Sequence, residues 1–117
     1  MAQCDLLIIG CGPAAWSCAL TARQRDLSVV VAAAPSATSW LQRADRIDNY
    51  PGLPAVSGQE LLRIFRQQAE DAGVQVIHAL ARQVMPDGAG GYMAAVAALR
   101  VRSPMQAASR LVSTAEA

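Results

Sequence analysis

The residues whose types and spacing suggest chemistry lie near the start of the chain, at Gly10-Cys11-Gly12-Pro13-Ala14-Ala15. This string is a GxGxxA variant of the fingerprint that binds the diphosphate of a dinucleotide. In such a motif Gly10 permits a tight turn, Gly12 lets a diphosphate approach the backbone, and Ala15 allows a helix to pack closely on a strand. The motif therefore predicts a dinucleotide site at a helix N-terminus. The alternative is a glycine turn that only joins strand to helix in a domain with another ligand.

The segments around this motif predict a strand, a helix and a second strand. Residues 5–9 are mostly apolar and end at Gly10, which is typical of a strand buried on both faces of a parallel sheet. Pro13 suits the first turn of a helix, and residues 14–25 are good helix formers. The β-branched run at residues 27–32 predicts the second buried strand. Together these segments predict a β-α-β unit over residues 5–33.

The rest of the chain predicts a three-layer α/β domain of the Rossmann-like type. Residues 34–56 are rich in turn formers and predict an ordered surface segment. The capping-box string at residues 57–60 predicts a helix that ends near Ala72, before Gly73. A third strand is expected at residues 74–77. The weaker strand signals, at 83–85, 92–96, 99–102 and 111–113, predict a small antiparallel appendage around a turn at 87–91 and a closing strand.

Composition excludes several classes of function. Of 117 residues, 53% are apolar and 4% aromatic, and ten basic and nine acidic side chains leave a net charge of +1. The charges are interspersed, so we expect no nucleic-acid partner and no membrane lipid partner. The apolar runs are far shorter than the roughly 20 residues of a membrane span. Because no basic leader precedes the first strand, we expect a cytoplasmic protein.

The cysteines and the lone histidine suggest no catalytic or metal site. Cys4, Cys11 and Cys18 form no CxxC pair, which favours reduced thiols over a disulfide scaffold, a redox pair or a zinc site. Cys11, just before a helix, is interpreted as a small side chain beside a ligand, with a reactive thiolate as the alternative. His78 is assigned a structural role at a strand end. Trp40 is assigned to packing, with a cover over a ligand or partner surface as the alternative.

The end of the second predicted strand lacks a residue that nicotinamide sites use. A carboxylate about 20 residues after the fingerprint usually binds the ribose hydroxyls. Residues 32–34 are all alanine here, and no carboxylate lies between positions 27 and 43. The missing carboxylate argues against NAD as the ligand. The ribose is expected to use backbone groups or the hydroxyls of Ser36, Thr38 or Ser39. FAD is the hypothesised ligand.

Two further blocks carry a family resemblance. Residues 44–54, Ala-Asp-Arg-Ile-Asp-Asn-Tyr-Pro-Gly-Leu-Pro, and residues 57–61, Ser-Gly-Gln-Glu-Leu, follow the fingerprint in an order that resembles the thioredoxin reductase family and its flavoprotein relatives. The resemblance implies FAD across the fingerprint, with Asn49 near the isoalloxazine, the adenine near Ala81 and a flavin contact from Thr114. The implied cofactor-binding residues are Gly10, Gly12, Pro13, Ala14, Ala15, Ala33, Asn49, Ala81 and Thr114.

The resemblance implies only part of an enzyme. It covers residues 5–83 well, so residues 1–117 are interpreted as one partial FAD-binding domain with a poorly matched tail at 94–117. A second fingerprint that would bind NADP or NAD, a CxxC pair and a C-terminal Gly-Asp segment are absent from the sequence. Electron transfer from NAD(P)H through FAD to a disulfide or another acceptor is therefore expected only of a complete enzyme. The alternatives are a non-catalytic nucleotide-binding module, which docks to a chain that supplies the missing half, and an inactive truncated remnant. A homodimer is a further expectation.

Overall fold

The computed structural model of the chain describes residues 2–35, 40–97, 99–103 and 111–113. The described elements, in chain order, are β1 (Ala2–Gln3), β2 (Leu6–Ile9), α1 (Pro13–Gln24), β3 (Val29–Ala32), a 3₁₀ turn (Leu41–Arg43), α2 (Gly58–Asp71), β4 (Gln75–Ile77), β5 (Ala81–Pro86), β6 (Tyr92–Val96), β7 (Leu99–Ser103) and β8 (Leu111–Ser113).

A parallel sheet in the order β4-β3-β2-β8 forms the middle layer. Leu6 to Ile9 pair in register with Val29 to Ala32, and β4 and β8 extend the sheet on either side. The residues of β3 are all buried, as expected for a strand covered on both faces. The predicted β-α-β unit, third strand and closing strand are confirmed.

The helices cover one face of this sheet. Ala15, Ala19 and Ala22 of α1 are buried against Leu6, Ile8, Val29 and Val31 of the strands. Their small side chains let the helix axis approach the sheet closely, and Ala69 of α2 belongs to the same apolar cluster. At the far end of the layer, Nε of Arg23 donates to the Ala72 carbonyl oxygen at 3.0 Å and ties α1 to the end of α2. No described helix has the length and apolar character needed to cross a membrane.

A second sheet, in the order β1-β7-β6-β5, covers the other face. Leu7 and Val30 of the middle layer are buried against Ala94, Val96 and Val101 of this sheet. The β5, β6 and β7 strands are antiparallel, as predicted, whereas β1 was not predicted and pairs parallel with β7. The predicted three-layer α/β fold with a small antiparallel appendage is confirmed.

The segment between β3 and α2 is held against the start of α2. Ile47 and Val56 form an isolated antiparallel bridge, and the rings of Tyr50 and Phe65 lie 5.4 Å apart. The prediction that Trp40 packs against the domain is wrong, because 72% of this residue is exposed and its ring is stacked only by the Arg43 guanidinium at 5.3 Å among the described contacts.

Candidate dinucleotide-binding site

The turn between β2 and α1 is shaped by its glycines. Gly10 has φ of 130°, a conformation that L-amino acids with side chains rarely adopt, and its amide donates to the Ala32 carbonyl oxygen at 3.0 Å. Gly12 is the N-cap of α1, and its carbonyl oxygen accepts from the amides of Ala15 and Trp16 at 3.1 and 3.3 Å. The chain therefore leaves the edge of the sheet and enters the helix within three residues.

A buried tryptophan fixes this turn, and sequence reasoning did not identify it. Trp16 is 2% exposed, and its indole Nε1 donates to the Cys11 carbonyl oxygen at 2.9 Å. Because a buried indole N–H needs an acceptor, the bond couples core packing to the backbone between the glycines. Trp16 therefore positions the turn.

The first backbone amides of α1 are available to a ligand. This helix has no side-chain cap and no acidic residue in its first turn, and Pro13 at its first position has no N–H. Within the described part of the chain, the amides of Gly12 and Ala14 donate to no protein acceptor. A Cβ placed on Gly12 would meet no described atom within 4 Å beyond its chain neighbours, so the space beside this residue is open. Unbonded amides at a helix N-terminus attract an anion.

A cleft of about 260 Å³ lies beside this turn, at the carboxyl edge of the parallel sheet. Cys11, Ala33 and His78 line it, and each follows the end of a strand of that sheet. Ligands of open α/β sheets bind at this edge. Residues on one face of α2 form the opposite wall together with other elements. The described residues that line the cleft are Cys11, Trp16, Ala33, Ala34, Pro35, Gln42, Gln59, Leu62, Arg63, Arg66 and His78.

The basic side chains of the cleft differ in their pairing. The Arg63 guanidinium donates to both carboxylate oxygens of Glu60, at 3.1 and 2.6 Å. Arg66, one turn further along α2, makes no hydrogen bond or ion pair with any described residue. Gln59, Arg63 and Arg66 follow one another on α2 at intervals of four and three residues, and this spacing places them together along the cleft. His78 follows a strand as predicted, but it also lines the cleft.

The thiol of Cys11 is not activated. Burial raises its pKa above the ordinary value, and this effect outweighs the nearby positive charge of Arg66, which lowers the pKa. A raised pKa favours the protonated thiol at neutral pH and argues against the alternative of a reactive thiolate. Cys11 precedes α1, as expected, and Cys18 lies within that helix.

The structure brings together only some of the implied cofactor residues. Ala33 is buried, lines the cleft, and its amide donates to the Ile77 carbonyl oxygen at 2.8 Å. Ala15 is fully buried and its amide is already bonded to Gly12, so it acts by packing. Asn49 is exposed in the segment before α2, and Ala81 begins β5; neither lines the cleft. Thr114 lies outside the described residues.

Comparison with known proteins places this geometry in context. No family model matches the chain. Over 74 residues, 62% of this chain, it is 36% identical to a thioredoxin reductase of Aquifex aeolicus, and the match spans 23% of that protein. Its fold matches 87% of its length to a thioredoxin reductase from Gloeobacter violaceus with a TM-score of 0.79 and 27% identity, covering 32% of that chain. A ferredoxin-flavin thioredoxin reductase from Clostridium acetobutylicum shares the fold over 97% of this chain and 37% of its own, with a TM-score of 0.74 and 21% identity.

The matches cover most of this chain but only a minor part of each relative. The chain spans about a quarter of the curated relatives and about a third of the solved structures that it matches. The resemblance indicated by the fingerprint and the Asn-Tyr-Pro-Gly block is confirmed: in sequence and in fold, this chain matches the N-terminal part of the thioredoxin reductase family.

Proposed function

We propose that this chain is the FAD-binding portion of a thioredoxin-reductase-like flavoprotein oxidoreductase. The observation that carries the proposal is the open space above the unbonded amides of Gly12 and Ala14. That space lies beside a cleft at the carboxyl edge of the sheet, in a chain similar to thioredoxin reductases. The backbone present therefore fits the diphosphate of a dinucleotide.

Each residue of the turn has a separate part in this proposal. Gly10 turns the chain, Gly12 and Ala14 donate amides to the diphosphate, and Pro13 starts the helix without adding an N–H that would need a partner. Ala15 holds the helix against the sheet. The family resemblance adds Ala33 beside the ribose, Asn49 near the flavin, Ala81 near the adenine and Thr114 as a flavin contact.

The reaction belongs to a longer protein in this proposal. When bound, FAD supplies the electron transfer, and the residues of this chain hold and orient it. A complete enzyme would pass electrons from NADPH or NADH to FAD and then to a disulfide or another acceptor. The nicotinamide site and the acceptor site would come from segments that this sequence does not contain.

An absorbance spectrum and an FAD titration of the purified chain test the proposal. We expect bound flavin to give bands near roughly 370 and 450 nm, and added FAD to lose fluorescence on binding. The sharpest variant is Gly12→Ala, because φ of −85° suits alanine and the new methyl group meets no protein atom. We expect it to raise the Kd for FAD tenfold or more while stability changes by about 1 kcal/mol or less. Wild-type protein that binds no FAD would overturn the proposal.

A nucleotide-binding module that lacks flavin chemistry is the second candidate. The cleft of about 260 Å³ favours it, because this volume is smaller than the roughly 300 to 1,000 Å³ of pockets for drug-sized ligands. Such a cleft suits the adenosine half of a dinucleotide. If ADP binds the chain as tightly as FAD does, the flavin half contributes no affinity and this candidate is preferred.

A further inference from the structure

We infer that Arg66 is the cation with which this cleft recognises the diphosphate of its nucleotide, an inference that rests on the nucleotide binding proposed above. The resemblance and the fingerprint assign phosphate binding to backbone amides alone. Amides select for an anion, whereas a guanidinium adds a full positive charge and two parallel donors that match phosphate oxygens. Arg66 therefore deepens the site by determining its preference for phosphorylated ligands.

The position of Arg66 supports this role. It lines the same cleft as Cys11, the residue between the two glycines of the turn. Its positive charge acts on the Cys11 thiol and lowers the pKa of that group, although burial has the larger, opposite effect. Arg66 and Cys11 thus line one cleft beside the start of α1, where the amides of Gly12 and Ala14 donate to no described acceptor. A diphosphate bound by these amides lies within the field of Arg66.

The availability of Arg66 distinguishes it from its neighbour. Arg63 lines the same cleft, but both of its described hydrogen bonds go to Glu60, so its charge is compensated. Arg66 has no partner among the described side chains and can donate to a ligand without breaking an ion pair. The cleft thus contains a matched pair of arginines, one paired with Glu60 and one without a partner among the described residues.

The wall opposite α2 carries no negative charge that would compete for Arg66. Ala33, Ala34 and Pro35 line the cleft after β3, at the place where dinucleotide folds commonly have a carboxylate for the ribose. A carboxylate there would pair with the arginine and repel phosphate. The neutral wall leaves recognition to the phosphate groups, so affinity is expected to depend on ligand charge more than on ribose hydroxyls.

Calorimetric titration of the full chain with ADP and with adenosine tests the inference. We compare wild type with Arg66→Gln and Arg63→Gln; both arginines are exposed on α2, and glutamine maintains helix propensity. Because Arg66→Gln removes the proposed charge-assisted hydrogen bond to phosphate, we expect it to raise the Kd for ADP about tenfold or more. Arg63→Gln is expected to raise it less than about threefold, because Glu60 already neutralises that charge. Adenosine, which lacks phosphate, is expected to bind all three proteins equally.

The outcomes separate this inference from the proposed function. Equal effects of the two substitutions on ADP, or wild-type binding of adenosine as tight as that of ADP, would overturn the role of Arg66. If FAD binds and Arg66→Gln leaves its Kd unchanged, the flavoprotein proposal survives and the inference fails. If ADP binds in an Arg66-dependent way and FAD does not bind, the inference stands and the flavin assignment fails. Wild-type protein that binds neither ligand would overturn both.

Discussion

The described helices begin in opposite ways. At the start of α2, the Ser57 hydroxyl accepts from the Glu60 amide at 3.1 Å, and the Gly58 amide donates to the Ala44 carbonyl oxygen at 2.9 Å. At the start of α1, no side chain caps the helix and the amide of Gly12 has no described acceptor. Among the described residues, the protein supplies acceptors for amides at the start of α2 and none for the Gly12 amide at the start of α1. The contrast supports the proposed site independently of any relative.

Gly12 and Gly58, at the starts of the two helices, also differ in the space around them. A Cβ on Gly58 would lie 1.6 Å from the Leu41 carbonyl oxygen, so glycine is required there by the close approach of the 3₁₀ turn. A Cβ on Gly12 would enter empty space. Close packing therefore explains glycine at position 58 and does not explain it at position 12, where we propose that the space admits a diphosphate.

The largest expected effect is that of Gly58→Ala. The methyl group forces the 3₁₀ turn away from α2, and overpacking of this kind costs about 3 kcal/mol of unfolding free energy. Urea denaturation followed by far-ultraviolet circular dichroism measures this loss. Gly12→Ala is the matched control, with a loss of about 1 kcal/mol or less expected. Equal losses in the two variants would break the comparison.

A second prediction compares the unfolding free energy with the nucleotide affinity for a substitution at the start of α1. Gly12→Asp places a carboxylate at the N-cap, where it accepts a helix amide and interacts favourably with the helix dipole. We expect unfolding free energy to remain within about 1 kcal/mol of wild type or to rise, whereas the Kd for FAD or ADP rises by roughly 100-fold through repulsion of phosphate. Denaturation and calorimetry on the same protein check both parts. Retained nucleotide affinity would show that the α1 terminus does not bind phosphate.

A third prediction tests the N-terminus of α2, which the Ser57 hydroxyl caps. Ser57→Ala removes the hydroxyl that accepts from the Glu60 amide, and loss of such a cap typically costs about 1 kcal/mol. Nucleotide affinity is expected to stay unchanged, since Ser57 does not line the cleft. Denaturation with a parallel ADP titration provides the test, and a selective loss of ADP binding would contradict it.

The smallest expected effect concerns Asp87, whose carboxylate accepts hydrogen bonds from backbone amides in the turn between β5 and β6. Asp87 accepts from the amides of Ala89 and Gly91, and with the Arg102 guanidinium these bonds lower its pKa to about 2. A folded-state pKa below the unfolded value of about 3.9 means that this stabilisation is present above about pH 4 and is lost as pH falls towards 2. Wild type and Asp87→Asn should therefore differ most near neutral pH and converge in acid. A stability difference that stays constant from pH 7 to pH 2 would contradict this prediction.

Sequence reasoning succeeded where short-range chemistry decides the structure. Both helices and the strands of the β-α-β unit formed as predicted, because apolar runs, β-branched residues and glycine stops act over a few neighbouring positions. The capping box was only half right. Ser57 caps α2, but Glu60 turns to Arg63 instead of returning to the Ser57 amide, since an arginine three residues along the helix competes for the carboxylate.

The site itself was predicted in part. The glycine turn was identified from its spacing, whereas His78 was assigned a structural role and Arg66 was not singled out. Their membership of the cleft depends on how α2 lies relative to the ends of β2 and β4. Neither residue is near Gly12 in sequence. A helical spacing shows which residues share a face and does not show what that face meets.

The sequence by itself determined the element types, the glycine turn and the family resemblance, because each depends on residues close together along the chain. Only the tertiary structure decided that Trp16 fixes the turn through Cys11, that Gly58 accommodates Leu41, and that Arg66 faces the cleft. It also decided that burial raises the pKa of the Cys11 thiol, since burial is a property of the packed domain. The physical reason is that local preferences fix backbone conformation, whereas the packing of distant segments fixes contacts, solvation and charge environment.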